Sequence, residues 1–197
     1  MLRMQLVCVV IIFLDTRRLI VNDLSMITWS HSSYSDVWPA YFGQIEKYYS
    51  NIRTHLFVDE NADSSEFNCN VILNKEADEY SKRFIECLDQ VPEKYVLYMQ
   101  EDFILYDYVD EERINSICSF LESSNYSFTR LIKSGVEGGN CISEDLNLYE
   151  IPGYSQYLFS HQATIWKKED LKKLYESFEP SSLRDAELLG SQICNYL

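Results

Sequence analysis

The chain has 197 residues, of which 46% are hydrophobic and 24% charged, and this composition is typical of a globular protein with about one domain. Its 31 acidic and 17 basic side chains give a formal net charge of -14, a field that repels phosphate backbones, so the composition argues against a nucleic-acid-binding protein. An anionic small ligand would need local neutralisation by a few Lys or Arg side chains or by a metal ion.

The N-terminus contains an apolar run at residues 6–14, followed by Asp15, Arg17 and Arg18. The run is too short to span a bilayer, and no small-residue cleavage site follows it, so the pattern favours a buried strand over a signal peptide. We therefore expect residues 1–23 to be a strand or an extension, with a single domain at 24–197. A cytoplasmic location is expected, and association with a membrane surface or export through a signal peptide is left open.

Strand and helix patterns alternate through the rest of the chain. Apolar residues at helical spacing predict helices, and short apolar runs predict strands, the one at 95–99 being almost wholly apolar. The predicted strands are 24–29, 54–58, 95–99, 128–132 and 157–165, and the predicted helices are 36–49, 76–90, 111–121, 168–177 and one from about residue 182. This alternation predicts a three-layer α/β/α sandwich with a mostly parallel central sheet, in which ligands bind at the carboxyl ends of the strands.

Six cysteines are present, but no two form a CxxC pair and no histidine lies at zinc-finger spacing from them. We therefore predict reduced thiols in the core. Cys87 and Cys118 lie on the apolar faces of predicted helices, which suits small buried side chains.

Two adjacent carboxylates, Glu101 and Asp102, follow the most apolar predicted strand. Carboxylates are costly to bury without a partner, so either both point outward or pair with Arg or Lys, or they hold a hard divalent cation. A cation completed by substrate phosphates would also neutralise an anionic ligand on an acidic protein. Because side chains alternate along a strand, one carboxylate would be the direct ligand and the other would bind a ribose hydroxyl or a water of the ion.

Three segments, 35–44, 95–105 and 159–168, resemble small glycosyltransferase-like proteins of the glycosyltransferase-A fold, the nucleotide-diphospho-sugar transferase type. In such proteins an acidic DxD-type motif follows the central strand. The resemblance implies that Asp102, together with Glu101, holds Mn²⁺ or Mg²⁺ against the diphosphate of the donor. Glu101-Asp102 lacks the first Asp of a strict DxD motif, a departure that bears on metal dependence more than on the fold.

The same resemblance implies further residues that bind the donor. Ser30, His31 and Ser32, in the loop after the first strand of the domain, would contact the nucleotide. Asp59 would meet the base or the ribose, and Arg83, on the helix before the metal motif, would face the donor. The structural alternatives are that Asp59 only starts a turn and that Arg83 is a solvated charge on its helix.

A late acidic segment resembles the place where such transferases keep the residue that accepts a proton from the acceptor hydroxyl. Glu187 and Asp185 are the two candidates. Ser182 and Asp185 fit a capping box at the start of a helix, which offers Asp185 a structural role, so we favour Glu187 as the base. A surface helix carboxylate is the alternative for both.

Residues near the last predicted strand are candidates for binding the acceptor. His161, Gln162 and Trp166 would lie near the acceptor if that strand borders the cleft, although a core histidine bonded to a backbone carbonyl is the commoner arrangement. Arg130 and Lys133 would either face the sugar or line a solvated edge.

These residues together predict a metal-dependent glycosyltransferase of the hexosyltransferase type, which moves a sugar from a nucleotide diphosphate sugar to a hydroxyl of a glycan, lipid or protein. We favour inversion at the anomeric carbon, because direct displacement requires a positioned base. The alternative is a non-catalytic domain of the same fold that binds a nucleotide sugar or a carbohydrate. A nucleotidyltransferase ranks third, because residues 28–34 contain neither the Gly nor the Lys of a triphosphate-binding loop.

Overall fold

A single nine-stranded sheet organises the described part of the chain, which in this computed structural model comprises residues 5–9 (backbone only), 23–60, 62, 65–75, 78–132, 139–155 and 157–194. The strand order across the sheet is β4-β3-β2-β5-β9-β6-β1-β8-β7. The strands are β1 (Gln5–Val9), β2 (Leu24–Trp29), β3 (Arg53–Asp59), β4 (Asn70–Asn74), β5 (Tyr95–Met99), β6 (Tyr126–Arg130), β7 (Cys141–Ser143), β8 (Leu148–Glu150) and β9 (Thr164–Lys167).

Helices cover both faces of this sheet. The helices are α1 (Trp38–Tyr48), α2 (Tyr80–Leu88), α3 (Glu111–Ser123), α4 (Lys168–Glu176) and α5 (Leu183–Cys194). Buried side chains of α1 and α3 pack in one apolar cluster with one face of the strands, and those of α2, α4 and α5 pack in a second cluster with the other face. The predicted three-layer α/β/α sandwich is therefore confirmed.

Strand direction explains where the polar residues meet. β4, β3, β2 and β5 are parallel neighbours, and β6 pairs parallel with β1, whereas β9 lies between β5 and β6 and is antiparallel to both. The predicted mostly parallel sheet is thus confirmed, with β9 reversed inside it. Because Thr164, the first residue of β9, pairs with Tyr98 and Arg130, the segment before it lies at the carboxyl edge of β5 and β6.

The element boundaries confirm some predictions and correct others. The strands at 24–29 and 95–99 have their predicted bounds. The strand predicted at 157–165 was wrong in extent, because β9 begins only at Thr164 and the residues before it bend across the edge of the sheet. β4 was not predicted, since its apolar part is only Val71 to Leu73 and polar residues flank it.

The N-terminal region and the cysteines follow the sequence analysis in part. Residues 5–9 form strand β1 beside β6, within the same sheet as the strands of 24–197, and residues 10–22 lie outside the described residues.

Cys87, Cys118 and Cys194 are buried thiols, whereas Cys141 is exposed on the sheet-edge strand β7, so not every cysteine belongs to the core. No helix within the described ranges is long and apolar enough to cross a bilayer.

Candidate functional site

Predicted donor residues from three separate parts of the sequence meet at the carboxyl edge of the parallel strands. Trp29, at the end of β2, pairs with Phe57 of β3, and Thr28 pairs with Met99 at the end of β5. The loops that follow β2 and β5 and the last residue of β3, Asp59, therefore lie at one edge of the sheet. This is the position at which open α/β sheets bind ligands.

Asp59 organises the loop that follows β2. Its side chain is almost fully buried, and its Oδ1 accepts a hydrogen bond of 2.6 Å from the main-chain N–H of Ser32. His31 caps the short 3₁₀ turn at Ser32–Tyr34 through Nδ1, which accepts from the N–H of Ser33, and places Nε2 3.9 Å from Asp59. Asp59 also starts a turn, since its carbonyl accepts from the N–H of Ala62, so it has a structural role in addition to holding the loop. Its contact with a base or ribose stays a prediction.

Glu101 and Ser30 lie in the loops that follow β5 and β2 at this edge of the sheet. The indole N–H of Trp38 donates to the Ser30 hydroxyl at 3.0 Å, and Ser30 in turn bonds the Glu101 carboxylate. Burial raises the pKa of Glu101, the hydrogen bonds from its own N–H and from Ser30 oppose that effect, and the charge of Asp102 adds to it. Glu101 Oε2 is buried and has no hydrogen-bond partner in the described part of the chain. A buried carboxylate oxygen of this kind is costly to leave unpaired, which indicates an interaction that the described residues do not supply.

In chemical type, the carboxylate pair suits a hard cation that would draw its remaining ligands from elsewhere. Mg²⁺ commonly uses one or two protein carboxylates, and substrate phosphates and waters complete its shell. Among the described residues, no group of three His, Cys, Asp or Glu side chains could hold a metal ion, so Glu101 and the exposed Asp102 would supply at most two protein ligands, and metal binding by them stays a prediction. No described Lys or Arg lies within ion-pair distance of Asp102, so the described residues do not support a salt-bridged pair there.

The raised pKa of Glu101 predicts a pH-dependent gain in stability from Glu101→Gln. A carboxyl whose folded pKa is raised contributes stability that is complete below its unfolded pKa and is lost as the pH rises through the folded pKa. We therefore expect the melting temperature of the metal-free protein to rise by roughly 1–3 °C at pH 7, and this gain to vanish near pH 4. Thermal melts at both values test this, with the exposed Glu46→Gln on α1 as the matched control. An E101Q protein that melts lower than the parent at pH 7 would contradict the assignment.

Arg83 lies beside Trp29 at the same edge. Its guanidinium carbon is 5.7 Å from the ring centre of Trp29 and 5.5 Å from that of Tyr80, and Nη1 donates to Oδ1 of the buried Asn74 at 3.1 Å. These contacts exclude the alternative that Arg83 is a solvated charge on its helix, because the side chain is half-buried between two aromatic rings. Its Nε–H is buried and has no hydrogen-bond partner among the residues that the structure describes, so the guanidinium retains donor capacity, and its contact with the sugar donor stays a prediction.

Glu187 and Asp185 have different environments on α5. Asp185 Oδ2 accepts from the N–H of Ser181 at 2.9 Å and its N–H donates to the Ser182 hydroxyl, so Asp185 caps the helix as the sequence suggested. Glu187 is not a free surface carboxylate: Oε1 accepts from the main-chain N–H of His161 at 2.9 Å, and 26% of the side chain is exposed. Burial alone would raise the pKa of Glu187, but the hydrogen bonds from His161 outweigh it and hold the pKa below its ordinary value.

Gly190 lets α5 approach closely enough for this contact. A Cβ at position 190 would lie 2.5 Å from the ring of the buried Phe159, two residues before His161. Gly190→Ala is therefore expected to destabilise the fold by about 1–3 kcal/mol through overpacking. Gly43→Ala on α1 is the matched control: nothing lies within 4 Å of that Cβ, and we expect unchanged or higher stability. Denaturant unfolding of both variants measures the difference, and equal stability would contradict the close packing.

The residues predicted to bind the acceptor require correction. Trp166 is fully buried against Phe128 and Phe159, and Arg130 is 1% exposed, with its guanidinium donating to the carbonyls of residues 157 and 158. Neither side chain reaches the surface, because both belong to strands buried under α4 and α5. The imidazole of His161 is buried as well, so it cannot contact an acceptor directly.

Two other acceptor residues remain to be placed. Gln162 is half-buried, and its Oε1 has no hydrogen-bond partner among the described residues, so it alone of the placed acceptor candidates keeps that role as a prediction. Lys133 lies outside the described residues.

The fold is similar to those of known structures. The crystal structure of TarS 1-349 from S. aureus in complex with UDP superposes with a TM-score of 0.51 and 15% identity over 88% of this chain and 54% of that chain. A second TarS structure from S. aureus gives a TM-score of 0.52 and 16% identity over 88% of this chain and 33% of that chain. No protein-family model and no curated protein matches the sequence.

The protein has a glycosyltransferase-A fold. The fold implied by the sequence resemblance is thereby confirmed, and the polar residues cluster at the carboxyl edge because the parallel strands end there. The chain spans about half or less of the length of the TarS structures that it matches.

Sequence reasoning missed several residues of this candidate site. Trp29 and Tyr80 flank Arg83, and Tyr175 bonds the imidazole of His161. Each lies in an apolar pattern that predicted a core position, so the sequence contained no signal for them. Asp102 also lines a cavity of about 630 Å³ with mostly apolar walls, formed by side chains of β2, β5, α3 and the loop after Asp102. The near-continuous apolar residues around 103–105 could have indicated that surface.

Proposed function

We propose that the protein is a glycosyltransferase that moves a hexosyl group from a nucleotide diphosphate sugar to a hydroxyl of a glycan, lipid or protein acceptor. The observation that carries the proposal is the position of Glu101 and Asp102 at the carboxyl edge of a glycosyltransferase-A sheet, where Glu101 keeps a buried oxygen that no described residue hydrogen-bonds. One TarS structure of the same fold contains UDP.

Each part of the site has a chemical task in this proposal. The loop at Ser30 to Ser32, held by Asp59, would bind the nucleotide, and Arg83 would donate to the donor phosphates or sugar. Glu101 and Asp102 would hold Mn²⁺ or Mg²⁺, and such an ion offsets the negative charge of a departing diphosphate. Because the protein has a net charge of -14, the charge of the diphosphate would have to be neutralised locally, by the cation and Arg83.

Glu187 would act as the general base. The lowered pKa of Glu187 keeps the carboxylate ionised at neutral pH. About a quarter of the side chain is exposed, which leaves room for a hydroxyl to approach. A base in this position would take the acceptor proton as the oxygen attacks the anomeric carbon, so we propose inversion of configuration.

A panel of nucleotide diphosphate sugars, incubated with the protein and Mn²⁺, tests the proposal. We expect nucleoside diphosphate release with one donor, and a rise in melting temperature with the same donor. A panel that produces neither turnover nor a thermal shift would contradict it. The second candidate, a non-catalytic binding domain, is favoured by the absence of a third acidic ligand among the described residues, and a thermal shift without turnover would support it.

A further inference from the structure

His161 and Tyr175 are two buried, hydrogen-bonded side chains next to Glu187. Two groups of His161 face the same carboxylate oxygen, Oε1: the main-chain N–H at 2.9 Å and the imidazole Nδ1 at 3.4 Å. The other ring nitrogen, Nε2, is 3.0 Å from the hydroxyl of Tyr175 on α4. Both His161 and Tyr175 are almost completely shielded from solvent, so water does not compete for these contacts.

The geometry favours one tautomer of His161. Burial lowers the pKa of this imidazole, so it is neutral and carries one ring proton, on either Nδ1 or Nε2. A proton on Nε2 would turn the lone pair of Nδ1 toward the Glu187 carboxylate, which is repulsive at 3.4 Å. A proton on Nδ1 is instead attracted to the carboxylate oxygen 3.4 Å away, a charge contact without hydrogen-bond geometry, and it leaves Nε2 to accept from the Tyr175 hydroxyl.

Ring packing holds the imidazole in this orientation. Its ring lies edge-to-face with Tyr98 of β5 at 5.3 Å and with Phe159 at 5.0 Å. Tyr175 is itself stacked on Phe84 of α2 at 4.0 Å. The imidazole therefore cannot turn away from Glu187 without breaking aromatic contacts on several elements.

We propose that His161 is a positioning residue for Glu187, and that the hydroxyl of Tyr175 directs the Nδ1 proton of His161 toward the carboxylate that accepts the acceptor proton. The inference rests on the proposed function and adds to it the residues that orient the base. The other titratable groups near Glu187 are Arg130 of β6, whose charge also lowers the pKa of Glu187, and Tyr80, Tyr98 and Tyr175, which remain neutral.

Nitrogen NMR of the histidine side chains tests the tautomer without any substrate. The protein has three histidines, so the His161 signals can be assigned by comparison with His161→Asn. We expect a protonated Nδ1 and an unprotonated Nε2, with no second proton taken up at the pH where an ordinary histidine titrates. In Tyr175→Phe the Nε2 signal should shift toward that of a nitrogen without a hydrogen bond. Tyr49→Phe, a buried tyrosine on the opposite face of the sheet, should leave it unchanged. A wild-type signal from protonated Nε2 would overturn the proposal.

The pH dependence of turnover supplies a second measurement, made at saturating Mn²⁺. His161→Asn retains an N–H donor near the position of Nδ1 and should keep the acid limb of kcat close to that of the parent. His161→Leu retains only the main-chain donor, so the acid limb should move to higher pH, while the KM for the donor stays unchanged. Identical acid limbs in both variants would overturn the inference. If the acid limbs are identical but Glu187→Gln loses turnover, the proposed base stands and only the inference about His161 fails. Full turnover in Glu187→Gln would contradict the proposed function itself.

Discussion

Glu187→Gln is expected to lower kcat for sugar transfer by roughly 10² to 10⁴, the usual contribution of a positioned general base. Glutamine keeps an oxygen that can accept from the N–H of His161, so the local structure should survive while the proton acceptor is lost. The measurement is steady-state transfer with the active donor, together with a thermal melt to confirm folding.

Asp185→Asn is the matched control for that variant. Asp185 lies two residues earlier on the same helix, and its carboxylate bonds Ser181 at the start of α5. We expect transfer at the parental rate and a loss of less than about 1 kcal/mol in stability, because asparagine still accepts a capping hydrogen bond. Equal losses of activity in both variants would point to a perturbed helix rather than a missing base.

Asp102→Asn is expected to lower the rate of transfer roughly a hundredfold, or about 3 kcal/mol of transition-state stabilisation, because it removes a carboxylate ligand of the proposed cation. The metal-free variant should melt at the same or a higher temperature than the parent. Asp102 is exposed and has no ion pair with a described Lys or Arg, and its charge adds to the cost of ionising Glu101. Added Mn²⁺ should raise the melting temperature of the parent more than that of the variant.

The control for this substitution is Asp107→Asn, an exposed carboxylate in the loop that follows Asp102, whose Oδ1 accepts from the N–H of Tyr108. It should leave both the rate and the Mn²⁺ response unchanged. A lower melting temperature in metal-free D102N would count against the metal site. An Mn²⁺ response that is equal in D102N and in the parent would do the same.

Local patterns were enough to predict the central parallel strands and the acidic pair after them. Residues 95–99 are uniformly apolar because β5 is buried on both faces, and a polar pair directly after such a strand lies at the sheet edge. The start of α5 was predictable for the same reason, since Ser182 and Asp185 satisfy free N–H groups within one turn. These features depend only on residues close together in the chain.

Tertiary structure alone decided which side chains surround Glu187, the proposed base. β9 enters the sheet antiparallel between β5 and β6, a pairing between residues more than thirty positions apart that no local pattern specifies. That reversal buries Trp166 and Arg130, which an apolar strand pattern could equally have placed at the cleft. It also brings His161 against Glu187 and Tyr175, because α4 and α5 pack on the same face of the sheet. The period of two in a strand predicts which residues share a face, whereas the partners across that face depend on how distant segments pack.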